Sequence, residues 1–308
     1  MIQHRAFRAS TRVWRALTGL SRDEFDQLVP AFASALHSQA AATWQGRVRR
    51  RRAGGGRKGY VPTIQDRLLF ILVYVRLYPI QELQALLFGL SQPQACYWIL
   101  HTLLPALRTA LGTACALPAR PAASIDELQQ RCPDLVYLLD AAERPIQRPQ
   151  DDDRQRRHYS GKKKRHTVKN TVVSNARGTQ VAFVGATAPG SRHDKTQAEA
   201  DAPPFPPGSH GAGDLAYQGL DPPNLVLTRP IKTPRGGQLT EDERACNRRV
   251  AQFRIYVEHA IRGIKIHRVT AEVLRATKAG FADLVIEVAA GLFNYKNCRR
   301  GYASVVGS

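Results

Sequence analysis

The period of the hydrophobic pattern changes once along this chain, near residue 135, and that change limits what the chain can fold into. Before it, apolar residues recur every three or four positions, as on one face of a helix. Phe25, Leu28, Val29, Phe32 and Leu36 follow the capping-box sequence Ser21-Arg-Asp-Glu24, with Leu20 placed as a hydrophobic staple, so residues 22–37 are expected to be helical. After it, Leu135–Asp140, His166–Ser174, Gln180–Ala186 and Leu225–Thr228 read as strands, and Asn175-Ala-Arg-Gly178 as a hairpin turn. Ser191-Arg-His-Asp194 reads as a cap opening a short helix, and long helices over about Thr240–Lys265 and Ala279–Asn297 close the chain. The expected organisation is an all-α part over 1–112, a linker rich in Ala and Pro over 113–134 with one weak helix at Ser124–Arg131, and a mixed α/β domain over 135–300.

Within the helical part, residues 63–112 read as helix, turn, helix. Thr63–Tyr78 is dense in Leu, Ile and Val; Gln81–Phe88 ends at Gly89; Ser91, with Pro93 behind it, caps a helix carrying Ala95, Trp98, Ile99, Leu103 and Leu104. The span Glu82–His101 has the size of a helix-turn-helix, which would offer Gln92, Gln94, Tyr97 and His101 to base edges. An ordinary helical bundle has the same pattern.

The charge balance narrows the partners. Lys and Arg number 45 against 25 Asp and Glu, a formal charge of +20, and the excess falls on both sides of residue 135. Such a chain suits a polyanion, through phosphate contacts and counterion release. Residues 45–60, which include Arg50 and Arg51, form a basic, glycine-rich linker suited to nonspecific phosphate contact; it has no phosphate-loop motif. Gly161-Lys162-Lys163-Lys164-Arg165 is a basic turn ahead of a strand, a second candidate phosphate contact. Asp151-Asp-Asp153 stands beside Arg154, Arg156 and Arg157 and reads as a solvated charge cluster in a loop. The five cysteines form no C-x-x-C pair, so they are read as reduced and mostly structural. The longest apolar run, Leu68–Val75, is far too short for the roughly 20 residues of a membrane span. No secretory signal is visible; the arginine-rich start reads as a basic arm on DNA or a targeting peptide, and the expected location is the bacterial cytoplasm, at the nucleoid.

Three acids carry the chemistry. Asp140 ends the apolar run Leu135-Val-Tyr-Leu-Leu-Asp140, Asp214 ends the small-residue stretch Gly208-Ser-His-Gly-Ala-Gly-Asp214, and Glu258 lies in a helical pattern with Arg254, Arg262 and Lys265 on adjoining turns. Carboxylates are hard ligands that suit Mg²⁺ or Mn²⁺, and two such ions can clamp the attacking and leaving oxygens of a phosphodiester. Singly, each acid also fits a turn, a cap or a solvated helix face.

Taken with their surroundings, the acids resemble a known family. Leu139-Asp140-Ala-Ala-Glu143-Arg144-Pro145, Tyr159-Ser-Gly161-Lys-Lys-Lys-Arg-His166, Gly190-Ser-Arg-His-Asp194, Gly213-Asp214-Leu-Ala-Tyr217-Gln-Gly219 and Arg254-Ile-Tyr-Val-Glu258-His-Ala-Ile-Arg-Gly-Ile-Lys265 resemble the DDE-type transposases, close to the insertion-sequence family five group and the Harbinger elements. The last segment fits that superfamily's R-x₃-E-x₆-K pattern. Ala141-Ala142 stands where the family usually has Gly-Thr, and Ala251 where a related pattern has Tyr. The resemblance implies an RNase H-like fold behind a helix-turn-helix domain. It also implies a catalytic triad of Asp140, Asp214 and Glu258 holding two Mg²⁺ (or Mn²⁺) ions, with Arg254 and Lys265 on DNA phosphates. The implied partner is double-stranded DNA, both terminal inverted repeats and target, bound by a homodimer or larger synaptic assembly. The Ser191–Asp194 segment also matches the family's His-Asp motif, although a helix cap explains Asp194 more simply. The rival readings are a decayed DNA-binding relative, an RNase H-like nuclease without strand transfer, and a basic ribosomal-type protein.

Overall fold

The computed structural model describes Ile2, His4 and residues 10–43 and 61–305; the basic segment with Arg50 and Arg51 lies outside the described residues. Helices α1 (Thr11–Thr18) and α2 (Arg22–Thr43) open it. The capping box forms as the sequence suggests: Ser21 N–H donates to the Glu24 carboxylate at 2.6 Å and Glu24 N–H to Ser21 Oγ at 3.1 Å. Next come α3 (Ile64–Leu77), α4 (Gln81–Phe88) and α5 (Gln92–Tyr97). Tyr78 and Gly89 end α3 and α4 in left-handed conformations. A π-helical turn over Trp98–Leu103 then leads into α6 (Leu104–Thr113). Pro105 explains that turn. Its ring would clash with the carbonyl four residues back, so the helix widens before it. Leu104 N–H then bonds Ile99 O, and the Leu100 carbonyl left behind accepts from Lys278 Nζ at 3.2 Å.

The sheet is built around β1 (Val136–Pro145). Antiparallel β3 (Arg165–Asn175) flanks it on one side. On the other side lie β6 (Ser209–Ala212) and then β7 (Leu225–Thr228), both parallel to it. β2 (Tyr159–Ser160), β4 (Val181–Val184) and β5 (Ala188–Pro189) pair successive stretches of the outer edge of β3. The order β4-β3-β1-β6-β7, with β3 alone of these neighbours reversed against β1, is the RNase H-like topology. Local pattern does not mark β6, whose Ser-His-Gly-Ala lacks the β-branched and aromatic side chains of a strand. Gly211 belongs there because a Cβ would lie 2.9 Å from the Tyr137 carbonyl of β1.

Helices α10 (Glu241–Lys265) and α11 (Phe281–Val305) cover one face of this sheet. Val257, Ala260, Ile261 and Ile264 of α10 and Ile286, Ala289, Ala290 and Phe293 of α11 pack on Leu138, Ala142, Val172, Val181 and Val184. Helices α7 (Ile125–Arg131) and α9 (Asp194–Asp201) cover the other, with Leu128 and Ala198 against Tyr137, Leu139, Val173 and Phe183. The opposite side of α11 carries Val285, Val288, Leu292 and Tyr295 into the core of α1–α6. The stretch read as a linker is threaded into this build. Ala119 N–H donates to Ala182 O at 2.8 Å, and Val184 N–H to Ala119 O at 2.9 Å. At the hairpin, Gly178 has φ +62° and a Cβ there would fall 2.0 Å from the Tyr256 carbonyl, so this turn sits directly on α10.

Two local expectations are corrected. The Ser191 cap does not form. His193 is the N-cap of α9, its Nδ1 accepting from Lys195 N–H at 3.3 Å, while Ser191 Oγ donates to Arg157 O at 2.6 Å. Asp194 is therefore the first helical residue, with its carboxylate turned away from capping. The acidic run 151–153 is not a loop: Asp151 caps a short helix, α8 (Asp152–His158), on which Asp153 pairs with Arg156 in solvent. Of the five cysteines only Cys132 is buried, so the structural role fits that one alone. No described helix is long and apolar enough to cross a membrane.

Candidate active site

A polar cleft of about 450 Å³ opens over β1, and its walls are delivered by elements far apart in sequence. Asp140 comes from the middle of β1, where it pairs with Val172 of β3. Its carboxylate accepts from Ala141 N–H at 2.7 Å. Burial pushes the Asp140 carboxyl up to about 6; repulsion from Asp214 and Asp194 adds to this, and the Ala141 N–H and Arg254 oppose it. Asp214 follows β6 and caps the 3₁₀ turn Leu215–Tyr217, accepting from Ala216 N–H at 2.9 Å. Its second oxygen faces the Arg254 guanidinium at 3.8 Å.

Helix α10 supplies Arg254, Glu258, Ile261 and Lys265 to the same cleft. Helical spacing does this directly, because residues four and seven apart share a face. Glu258 is exposed, and no hydrogen bond or ion pair joins it to the described residues. Lys265 is held below its ordinary value by burial and by Lys163, with Asp140 and Glu143 opposing. Arg262, on the same helix, is exposed and lies outside the cleft lining. Lys162 and Lys163 overhang the cleft from the turn between β2 and β3; Lys164 of that turn and Arg165, which opens β3, lie outside the lining.

Sequence reasoning passed over Glu143 and set Asp194 aside as a helix cap. Glu143 lines the cleft and accepts from Thr167 Oγ1 at 2.5 Å. Asp194 lines it as well, ion-paired with Lys169 of β3 at 2.8 Å. The signal was Lys169 itself, a charged residue in the middle of an apolar strand, which needs a buried partner. In the helical part, Ser91 N–H donates to Gln94 Oε1 at 3.1 Å, and Gln92 Nε2 to Gln81 Oε1 at 2.7 Å, so Gln94 is engaged at the cap of its own helix and Gln92 is tied across to α4. Tyr97 is exposed and stacks on His101 at 5.2 Å. A larger cavity of about 630 Å³ between α2 and α11 contains none of the three acids and none of the basic turn.

The donor set fits a hard divalent cation. Asp140 and Asp214 are two nearby carboxylates, one of them desolvated, and their mutual repulsion is relieved by a cation. Among the described residues no three acidic, histidine or cysteine side chains already converge on one point. Glu258 lines the same cleft from α10, and Arg254 neutralises part of the charge at Asp214.

Helix-turn-helix elements ahead of an RNase H-like sheet, with acids at the central strand, its parallel neighbour and the covering helix, are the build of a DNA-cleaving enzyme. Residues 139–294 match the family described as DDE superfamily endonuclease, and residues 61–113 match the helix-turn-helix of DDE superfamily endonuclease. The chain belongs to the DDE superfamily endonucleases. It is 25% identical over 295 residues to a protein from Microchaete diplosiphon described as a probable transposase for insertion sequence element IS702, covering 95% of this chain and 97% of that protein. No solved structure matches the chain.

Proposed function

We propose that this chain is a transposase that cleaves DNA at the ends of an insertion sequence and joins the freed ends to a target, with Asp140, Asp214 and Glu258 as its catalytic acids. One observation supports this most: three acids, 73 and 43 residues apart in the chain by intervening count, and six lysines and arginines line one cleft over the central strand. Asp140, Asp214 and Glu258 would hold two divalent cations, Mg²⁺ or Mn²⁺, which when bound supply Lewis acidity to the entering and leaving oxygens.

Two displacements make up the reaction. Water adds to phosphorus as the bond to the DNA 3′ oxygen breaks, and that 3′ hydroxyl later adds to a target phosphate as a second P–O bond breaks. Lys162, Lys163 and Lys265 hold the non-bridging phosphate oxygens, and Arg254 turns from Asp214 to the scissile phosphate as DNA enters. Tyr97 and the exposed surface of α5 meet the terminal inverted repeats, and two copies hold two ends. The work is done at the bacterial nucleoid.

Cleavage of labelled duplex carrying the element's own ends, with Mg²⁺ or Mn²⁺, tests this against Asp214→Asn. Cutting by the parent chain alone supports the triad; equal cutting by both removes it. Capture of a target duplex separates a transposase from a simple nuclease. A second expectation concerns the basic turn. Replacing Lys162 and Lys163 by Ala should flatten the slope of log K against log[salt] by about 1.8, roughly 0.9 per phosphate contact. An unchanged slope in a binding titration at several salt concentrations would remove that turn from the DNA interface.

A further inference from the structure

Helix α8 has 7 residues and buries none of them. A helix so short and polar all round has neither length nor packing to hold it, so its place needs another cause. Polar ties fix it to the rim of the cleft. The Arg157 carbonyl accepts from both the N–H and the hydroxyl of Ser191, at 3.3 and 2.6 Å. Arg148 Nε donates to Gln155 Oε1 at 2.8 Å. Gly190 lets the rim come this close, since a Cβ there would lie 3.0 Å from the His158 carbonyl. Gly190, Ser191 and Arg192 line the cleft, and the two residues of β2 lead from α8 to the turn with Lys162 and Lys163. The acids of α8 stand in its first turn, where Asp153 pairs with Arg156. From Gln155 to His166 the chain holds six Lys and Arg and no acid. Arg154 and Arg157 are exposed and, three positions apart, share a face of the helix. No ion pair joins either of them, or Arg192, to the described residues.

We propose that α8 and the Ser191–Arg192 rim form a docking ridge for the target duplex, the DNA to which the freed ends are joined. This rests on the transposase reading and deepens it. Two duplexes must reach one set of acids. The element's end has a defined sequence and a reader in the helix-turn-helix. The target carries no part of the element, so nothing in that reader is matched to it, and phosphates are the feature that every duplex shares. The ridge offers the chemistry for such a grip. It presents guanidinium groups that are not engaged by acids, and a strong polyanion releases counterions on meeting them. Asp152 and Asp153 in the first turn of α8 oppose entry of that end into a groove edged by phosphates, so the helix lies along the backbone and reads no bases. The ridge is continuous with the cleft through Ser191, and a duplex seated on Arg154, Arg157 and Arg192 continues to Lys162 and Lys163 at the acids.

The test uses full-length protein, a pre-cut element end with a free 3′ hydroxyl, an unrelated duplex as target, and Mg²⁺. The target concentration for half-maximal joining is measured at several salt concentrations for the parent, for Arg154→Gln with Arg157→Gln, and for Arg154→Lys with Arg157→Lys. Losing two phosphate contacts should lower the slope of log affinity against log[salt] by about 1.8, so that between about 50 and 200 mM salt the parent loses about tenfold more target affinity than the glutamine pair. The lysine pair keeps the charge and should keep the slope. Arg177→Gln with Arg268→Gln removes two exposed charges elsewhere and should leave the slope unchanged. Affinity for the element's end, and the rate at which an intact end is cut, should match the parent throughout. An equal drop in the Arg177 and Arg268 protein would mark an effect of net charge and overturns the proposal, as does a loss that lysine fails to restore. A loss confined to binding of the element's end puts that duplex on the ridge instead and overturns it too. If the parent joins ends to the target and the glutamine pair does so with the same slope, the ridge alone falls. If the parent cuts ends yet joins none, the transposase reading falls and the ridge with it.

Discussion

Asp140→Asn is expected to melt a few degrees above the parent chain at pH 7.5 without divalent ions, while losing on the order of a thousandfold in cleavage rate. Burial raises the Asp140 carboxyl from its ordinary 3.8 to about 6. The folded state therefore binds a proton more tightly than the unfolded state. Between about pH 4 and pH 6 the folded chain still carries a proton that the unfolded chain has lost, so stability falls as pH rises through that window. Above it the penalty is complete, about 3 kcal/mol for a shift of some two units. Asparagine removes the charge and keeps a side-chain oxygen for the Ala141 N–H. Thermal melts of both proteins at pH 7.5 and near pH 4 check this: the gain should shrink toward the acid end. Adding Mg²⁺ should then raise the melting temperature of the parent alone, by mass action on the folded state. An Asp140→Asn protein that melts below its parent at pH 7.5 would mean that the carboxylate is stabilised by its surroundings, contrary to a site held open for a cation.

A fragment covering residues 135–305 is expected not to fold cooperatively, although it contains the whole sheet and every proposed catalytic acid. Val285, Val288, Leu292 and Tyr295 of α11 are buried against α1–α6, not against the sheet. Exposing four such side chains costs roughly 2 kcal/mol each, about 8 kcal/mol together, which is comparable with the whole stability of a typical domain. Polar ties are cut as well. Tyr295 Oη donates to Glu24 O at 3.0 Å, Arg76 to Ile266 O at 2.5 Å, and Arg275 to Tyr78 O at 2.5 Å. The cut also removes Ala119 from the edge of β4 and Leu128 from beneath the sheet. A circular-dichroism melt of the fragment should show no sharp transition. A cooperative transition, with the near-ultraviolet signal of a packed core, would show instead that the sheet domain stands alone.

These two expectations come from different levels of the molecule. The first begins at a residue that the sequence marked, and the second at a helix face that it did not resolve. The capping boxes at Ser21 and Ser91, the left-handed stop at Gly89 and the hairpin turn at Gly178 were legible because each depends on neighbours within a few residues. The three candidate acids were read from a related signal, a short motif on a strand, at a turn or on a helix face, although Asp140 stands in the middle of β1 and not at the strand end that its apolar run suggested. β6 was not legible from its local pattern, because four small residues become a strand only where β1 and β7 supply partners on both sides. Asp194 was misplaced because a capping pattern in sequence competes with a lysine 25 residues away that only the sheet brings near.

The sequence by itself determined most of the elements, their order and the candidate acids, since propensity, capping and periodicity act over one or two turns. The tertiary structure decided which faces meet. It set α11 between two cores, drew 113–134 onto the sheet edge, and brought Glu143, Lys169 and Asp194 to the cleft over β1. Those placements follow from burying apolar surface and pairing buried charge across long stretches of chain, and such interactions leave no local pattern to read.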